Sequence, residues 1–213
     1  MKITKYGHCC MLIEEKGLRI LTDPGNFTTQ QDNVKNIDVV LITHEHQDHL
    51  HVESLKTVMK NNPSASIITN KAVAKLLDKE KLRYTIIDDG KSITIKNVLI
   101  EGYGKTHVTI YKTIPPVENT GYFISHKLFY PGDAFYDPKI PVEILAVPVA
   151  GPWMKISEAI DYLLAIKPKK AFPVHDGMIV PGARSLFGRV SERILKNTGI
   201  QWIQIEENKE TEF

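Results

Sequence analysis

The chain has 213 residues, 42% of them apolar, which is enough for one sizeable domain, or two smaller halves sharing a core, with the side chains to fill it. Its 27 basic and 25 acidic residues leave a formal charge of +2, and the two signs are interspersed, so generic electrostatic binding to nucleic acid is excluded as an expectation. No run approaches the ~18 apolar residues of a spanning helix, residues 1–8 lack an apolar leader core, and a cytoplasmic protein with a small-molecule partner and no membrane partner is expected.

Residues 9–13 and 18–22 read as two strands joined as a hairpin across Glu14-Glu15-Lys16-Gly17. Cys9 and Cys10 are adjacent and poorly placed for a disulfide, so both read as small buried hydrophobes. Asp23-Pro24-Gly25 closes the second strand; Asp23 suits a pocket role and a plain turn equally well. Residues 26–36 are polar and loop-like, either a lid beside a site or a solvated loop. The apolar run 37–42 is a buried strand that leads into Thr43-His44-Glu45-His46-Gln47-Asp48-His49. Three imidazoles and a carboxylate in six residues point to metal. In extended backbone His44 and His46 share a face and reach one ion together, and a turn into a helix after Leu50 would throw Asp48 and His49 beside them, giving two adjacent ions. The competing reading is a strand-to-helix loop with Asp48 as N-cap, which leaves three histidines without a structural task.

A helix of about ten residues should follow and end near Asn61-Asn62-Pro63. Alternation then gives a strand at 66–69, a helix at 71–77, a strand at 84–87, a turn at Asp88-Asp89-Gly90, and paired strands at 92–95 and 98–103. His107 leaves the sheet just beyond, a ligand or a surface residue. In the second half, strands at 121–124 and 128–130, joined by a turn that exposes His126, end in Pro131-Gly132-Asp133. This repeats the pattern of strand, turn, strand and Asp seen at 11–23. The run 144–147 is a second buried strand, Trp153 and Met154 suit a pocket mouth or the core, and 156–166 has the spacing of an amphipathic helix. A strand at 170–175 carries His175, and a helix at 186–196 and a strand at 200–205 close the chain.

The segment His44 to His49 resembles the H-x-H-x-D-H signature of the metallo-β-lactamase superfamily, and His107, Gly132-Asp133 and His175 follow in the order of that superfamily's further ligands. The resemblance implies an α/β fold, a four-layer αβ/βα sandwich of two pseudo-equivalent halves whose mixed sheets pack face to face, in a single domain over 1–213. It also implies that His44, His46 and His107 bind one metal, that Asp48, His49 and His175 bind another, and that Asp133 bridges them. Imidazole and carboxylate donors without thiolate suit two divalent ions, zinc before manganese or iron. A hydroxide held between the ions is the expected nucleophile, with Asp48 orienting it or taking its proton. By Gly7-His8, Leu21-Thr22-Asp23-Pro24, Asn119-Thr120-Gly121-Tyr122 and Tyr130-Pro131-Gly132-Asp133, the chain is similar to small metal-dependent hydrolases related to L-ascorbate-6-phosphate lactonase. A lactone or phosphoester of a small molecule is therefore the expected substrate. Alternatives are a phosphodiesterase acting on nucleotides and a metal-dependent binding or sensing module without turnover; retention of the whole ligand set favours an enzyme. The large insertion of RNA-processing relatives is absent, and His46 stands where redox di-iron relatives carry Glu. His8, outside the signature, reads as a hydrogen-bond donor to Asp133 or to substrate, or as a structural strand-start histidine.

Overall fold

Alternation of apolar side chains along the strands decides which layer each one enters. The computed structural model describes residues 1–213. Its first half contains β1 (Lys2–Gly7), β2 (Cys10–Glu15), β3 (Leu18–Thr22), β4 (Val39–Leu41), α1 (Val52–Asn61), β5 (Ser66–Thr69), α2 (Lys71–Lys79) and β6 (Tyr84–Ile86). The second half contains β7 (Ser92–Ile95), β8 (Val98–Tyr103), β9 (Gly121–Ile124), β10 (Leu128–Tyr130), β11 (Ile144–Pro148), α3 (Ile156–Ile166), β12 (Lys170–Val174), α4 (Pro181–Leu195), β13 (Gln201–Trp202) and β14 (Glu210–Glu212). In β4, Val39 and Leu41 face the space between two sheets while Val40 faces helices; in β11, Ile144 and Ala146 face inward while Leu145 and Val147 face outward. Strands buried on both faces must be apolar throughout, which is why these two read as unbroken runs.

The sheets have seven strands each, in the orders β14-β1-β2-β3-β4-β5-β6 and β13-β12-β11-β10-β9-β8-β7. Each has three successive antiparallel pairings, from β14 to β3 in the first and from β7 to β10 in the second, and then three parallel ones, out to β6 and β13. The two halves therefore match strand for strand, with one crossing: the C-terminal β14 supplies in the first sheet the edge that β7 supplies in the second. Leu55 and Val58 of α1, with Val73 and Leu77 of α2, cover the outer face of the first sheet. Ala159, Tyr162 and Leu163 of α3, with Leu195 of α4, cover the second. A 21-residue apolar layer fills the space between the sheets. Each fully buried Leu or Phe there contributes about 1.5–3 kcal/mol, which holds the ends of the two sheets in fixed relation. This is the mixed-sheet, four-layer architecture that the motifs imply.

Several elements differ from the sequence reading. Residues 2–7 form a strand that the reading did not assign, because Lys5 occupies a core-facing position and breaks the apolar alternation. β14 is likewise unforeseen, since Glu-Thr-Glu pairs through backbone alone. The strand read at 200–205 contracts to Gln201–Trp202, and α4 begins at Pro181 rather than 186, with proline in its first turn. Residues 26–36 are mostly exposed, as a solvated loop would be, but the segment is anchored from within. They contain a short 3-10 helix (Gln30–Asn33) whose fully buried Gln31 donates to the carbonyls of Gly25 and Thr28 and to Ser54 Oγ of α1.

Candidate metal centre

The loop that follows β4 carries four of the candidate ligands, and its frame is made of backbone anchors. The Ile42 carbonyl accepts from Thr69 Oγ1 and Tyr122 OH, and the Thr43 carbonyl accepts from Asn70 Nδ2 and the Thr120 amide. Asn70 is also the N-cap of α2, receiving the Val73 amide, so one side chain caps the helix and steadies the loop. Gly25 lies flat against the loop: a Cβ there would fall 1.8 Å from the Asp48 carbonyl oxygen. Gly132, with φ of +63°, lets Asp133 follow β10 into the site, where a Cβ would strike Asn119 Oδ1 at 2.4 Å.

All seven expected ligands converge. Asp133 is central: its Oδ2 lies 3.2 Å from His107 Nε2, 2.9 Å from His175 Nε2 and 3.9 Å from His44 Nε2, and its Oδ1 lies 3.2 Å from His49 Nε2. Donor atoms of His44, His46 and His107 lie within 4.8 Å of one another, as do those of His8, Asp48, His49 and His175. The imidazole orientations follow from what grips their far nitrogens. His49 Nδ1 donates to Asp23 Oδ2 (2.7 Å), His44 Nδ1 to Thr43 Oγ1 (3.1 Å) and His107 Nδ1 to the Val108 carbonyl (2.5 Å). With Nδ1 protonated, each Nε2 keeps its lone pair directed into the site. The Nε2 atoms of His44, His49, His107 and His175 and the Asp133 Oδ1 are buried, and none forms a hydrogen bond. Buried polar atoms normally find partners; five clustered exceptions, all good ligands for a divalent ion, fit one or two such ions.

Charge within the site agrees with this fit. Burial by itself would raise the Asp48 and Asp133 carboxyls, but hydrogen bonds and the neighbouring histidines hold both below the usual carboxylate range. Burial would lower His175 and His49, yet Asp133 and the other acidic neighbours together outweigh it, raising His175 to about 10 and His49 well above its ordinary value. Buried carboxylates thus draw protons onto the ligands that a cation would occupy, so metal binding releases protons. His44, whose burial is not offset in this way, is pushed well down.

His8 has the opposite tautomer. The Gly177 amide donates to its Nδ1 (3.2 Å), leaving Nε2–H to donate to Asp48 Oδ2 (3.1 Å), and burial lowers its pKa to about 4, so the ring is neutral. His8 thus donates to Asp48, not to Asp133. Three residues of this region, His8, Asp23 and His175, have φ of 50°, 37° and 58°, a conformation costly for residues with a Cβ and frequent at functional sites.

The sequence reading left Asp23 undecided and overlooked Lys5, Thr43, Tyr130 and Asp176. Asp23 accepts from the Thr43 amide (2.8 Å), Thr43 Oγ1 (2.7 Å), His49 and Tyr130 OH (2.5 Å). Lys5, 1% exposed, reaches Asp176 (2.5 Å) and the Pro173 carbonyl (3.0 Å) on either side of His175. A lysine at the inward position of a strand was the available signal. Trp153 is both buried and at the site, its ring 5.4 Å from His107 and 5.6 Å from His175 between centroids, whereas His126 is exposed and pairs with Glu101.

Comparison with known proteins bears on this arrangement. Residues 2–175 match the family model described as beta-lactamase superfamily domain. Protein Rv0786c of Mycobacterium tuberculosis is 35% identical over 198 residues, covering 90% of this chain and 92% of its own. A UPF0173 metal-dependent hydrolase of Carboxydothermus hydrogenoformans is 28% identical over 194 residues, covering 82% of this chain and 84% of its own. Among solved structures, Igni18, a metallo hydrolase from Ignicoccus hospitalis, superposes with a TM-score of 0.76 at 21% identity over 100% of this chain and 98% of that one. That likeness speaks for the fold.

Proposed function

Since the chain belongs to the metallo-β-lactamase superfamily, we propose that it is a binuclear metal-dependent hydrolase that cleaves an ester-type bond, lactone or phosphoester, of a small molecule. The observation that carries the reading is the gathering of seven buried or half-buried donors, with Asp133 within 4 Å of His44, His49, His107 and His175 and the Nε2 atoms of those four histidines left free of hydrogen bonds. His44, His46 and His107 would hold one ion, Asp48, His49 and His175 the other, and Asp133, whose carboxylate lies beside members of both sets, both. Two divalent ions, zinc first, would supply Lewis acidity and a water acidified toward pKa ~7.

The chain's own residues do the rest. Asp48 is the more accessible of the two carboxylates, 21% exposed against 2% for Asp133, and it faces the approach of water and substrate. Its depressed pKa keeps it ionised, so that it can accept a hydrogen bond from the attacking water and orient it. The His8 N–H fixes the direction of that carboxylate. Water adds to the electrophilic carbon or phosphorus, the ester oxygen leaves and takes a proton, and an acid and an alcohol result. Zinc-, manganese- and iron-reconstituted protein should be assayed on a panel of lactones, phosphodiesters and aryl esters, with metal content determined on the same samples. Turnover of one class by two-metal protein is expected. Two bound ions with no turnover on any member would favour the binding-module reading.

A further inference from the structure

The exposed apolar side chains are not scattered. The five positions that follow each of Asp23, His107, Asp133 and His175 make up under a tenth of the 213 residues, yet they carry Phe27, Tyr111, Tyr136, Met178 and Val180, five of the eleven exposed large hydrophobics. Single exposed apolar residues are ordinary; a concentration on the loops that carry or follow the candidate ligands points to a binding surface. Contacts tie these loops to the site residues and to their own neighbours. Phe27 lies 4.7 Å from the His8 ring, the Val108 amide donates to the Asp133 carbonyl, Tyr162 OH donates to the Tyr136 carbonyl, and the Ile179 amide donates to the Asp176 carbonyl. Apolar lining also continues inward, from Phe135 to Trp153 (5.6 Å between centroids) and from Trp153 to His107 and His175. Beside His8, a cleft of about 270 Å³ is lined by Thr28, Gln30, Arg184 and Glu207. Its one guanidinium is paired with Glu207 at 2.5 Å, so the cleft offers an anionic headgroup no net charge.

We propose that the substrate is a carboxylic ester bearing an extended apolar chain, which lies along the rim formed by Phe27, Tyr111, Tyr136, Met178 and Val180. This rests on the hydrolase reading and selects within it: a neutral carbonyl ester rather than a phosphoester, with water adding to the carbonyl carbon, the carbon–oxygen bond breaking, and a fatty-type carboxylic acid and an alcohol departing. A bilayer or a second copy of the chain would meet the same side chains, and the test separates them.

Zinc-loaded protein is titrated with straight-chain carboxylates from butanoate to decanoate, as product analogues, and assayed on the p-nitrophenyl esters of the same acids. Affinity and kcat/KM should rise about two- to fourfold per methylene, fourfold being the value for a fully buried one. Phe27→Ser and Val180→Ser should each flatten the slope with metal content unchanged. Affinity independent of chain length would overturn the proposal. So would binding to phosphatidylcholine vesicles, or a dimer in sedimentation, that the same substitutions abolish without touching the carboxylate slope. Chain-length-dependent binding without hydrolysis of any ester would support the apolar rim while removing the hydrolase reading on which it builds.

Discussion

Asp23 accepts from four donors at once, and a carboxamide in its place would offer one oxygen and turn two N–H groups toward groups that also donate. Asp23→Asn should therefore cost about 1–3 kcal/mol of stability, the penalty for buried donors left unpaired. By releasing His49 Nδ1 it should also weaken metal binding about 10–100-fold. Thermal melting and zinc titration measure the two effects, and an unchanged metal affinity would reduce Asp23 to a turn residue. Its partners Thr43, His49 and Tyr130 lie 20, 26 and 107 positions away, which is why the sequence leaves its role open, whereas His44 to His49 announce themselves within six residues. His8 is the complementary case. His8→Ala frees the Asp48 carboxylate to rotate while every ligand remains, so both ions should be retained and turnover should fall about 10–100-fold. His8→Gln, with a donor and an acceptor, should recover part of that loss. Loss of an ion on elemental analysis of His8→Ala would instead make His8 a ligand.

The strand that the sequence conceals is the one that shapes the end of β12. β1 brings Lys5 and, just past its end, His8 against the turn carrying His175: Lys5 Nζ grips Pro173 and Asp176, the His8 carbonyl accepts the His175 amide, and His8 Nδ1 accepts the Gly177 amide. Hydrophobic periodicity misses β1 because its central inward residue is charged, and misses β14 because an edge strand of Glu-Thr-Glu is specified by backbone pairing with β1. The elements that periodicity does find, β4, β11, α1 and α3, are those whose faces are apolar for packing reasons alone. Lys5→Met leaves Asp176 buried and unpaired and should destabilise the protein by about 3–5 kcal/mol. Adding Asp176→Leu should restore most of that, since an apolar pair of similar volume replaces a buried ion pair at little cost. Denaturant unfolding of the two single variants and the double variant tests this; additive losses in the double variant would show that the pair is not coupled.

Across the whole molecule the pseudo-equivalence of the halves meets at one imidazole. Asp23 follows β3 and Asp133 follows β10, matched positions in the two sheets, and they flank His49: Asp23 accepts from its Nδ1 at 2.7 Å, and Asp133 lies 3.2 Å from its Nε2. The candidate ligands divide likewise, with His44, His46, Asp48 and His49 from the first half and His107, Asp133 and His175 from the second. Pattern repetition in the sequence shows that two halves exist, but the placing of the site at their junction depends on which loop ends the sheet packing brings together. Ions bound there are staples between halves and should stabilise folding by mass action, about 4 kcal/mol when free metal is a thousandfold above its dissociation constant. For a chain of this size, each kcal/mol moves Tm by about 2–4 °C, so chelation should lower Tm by roughly 8–16 °C. Asp133 touches both ligand sets, so Asp133→Ala should abolish nearly all of this metal-dependent shift and release both ions together. His175→Ala removes one donor from one set and should leave one ion and about half of the shift. Calorimetry with and without chelator, paired with elemental analysis of the same samples, measures both quantities, and equal, small losses in the two variants would rule out a carboxylate shared between two ions.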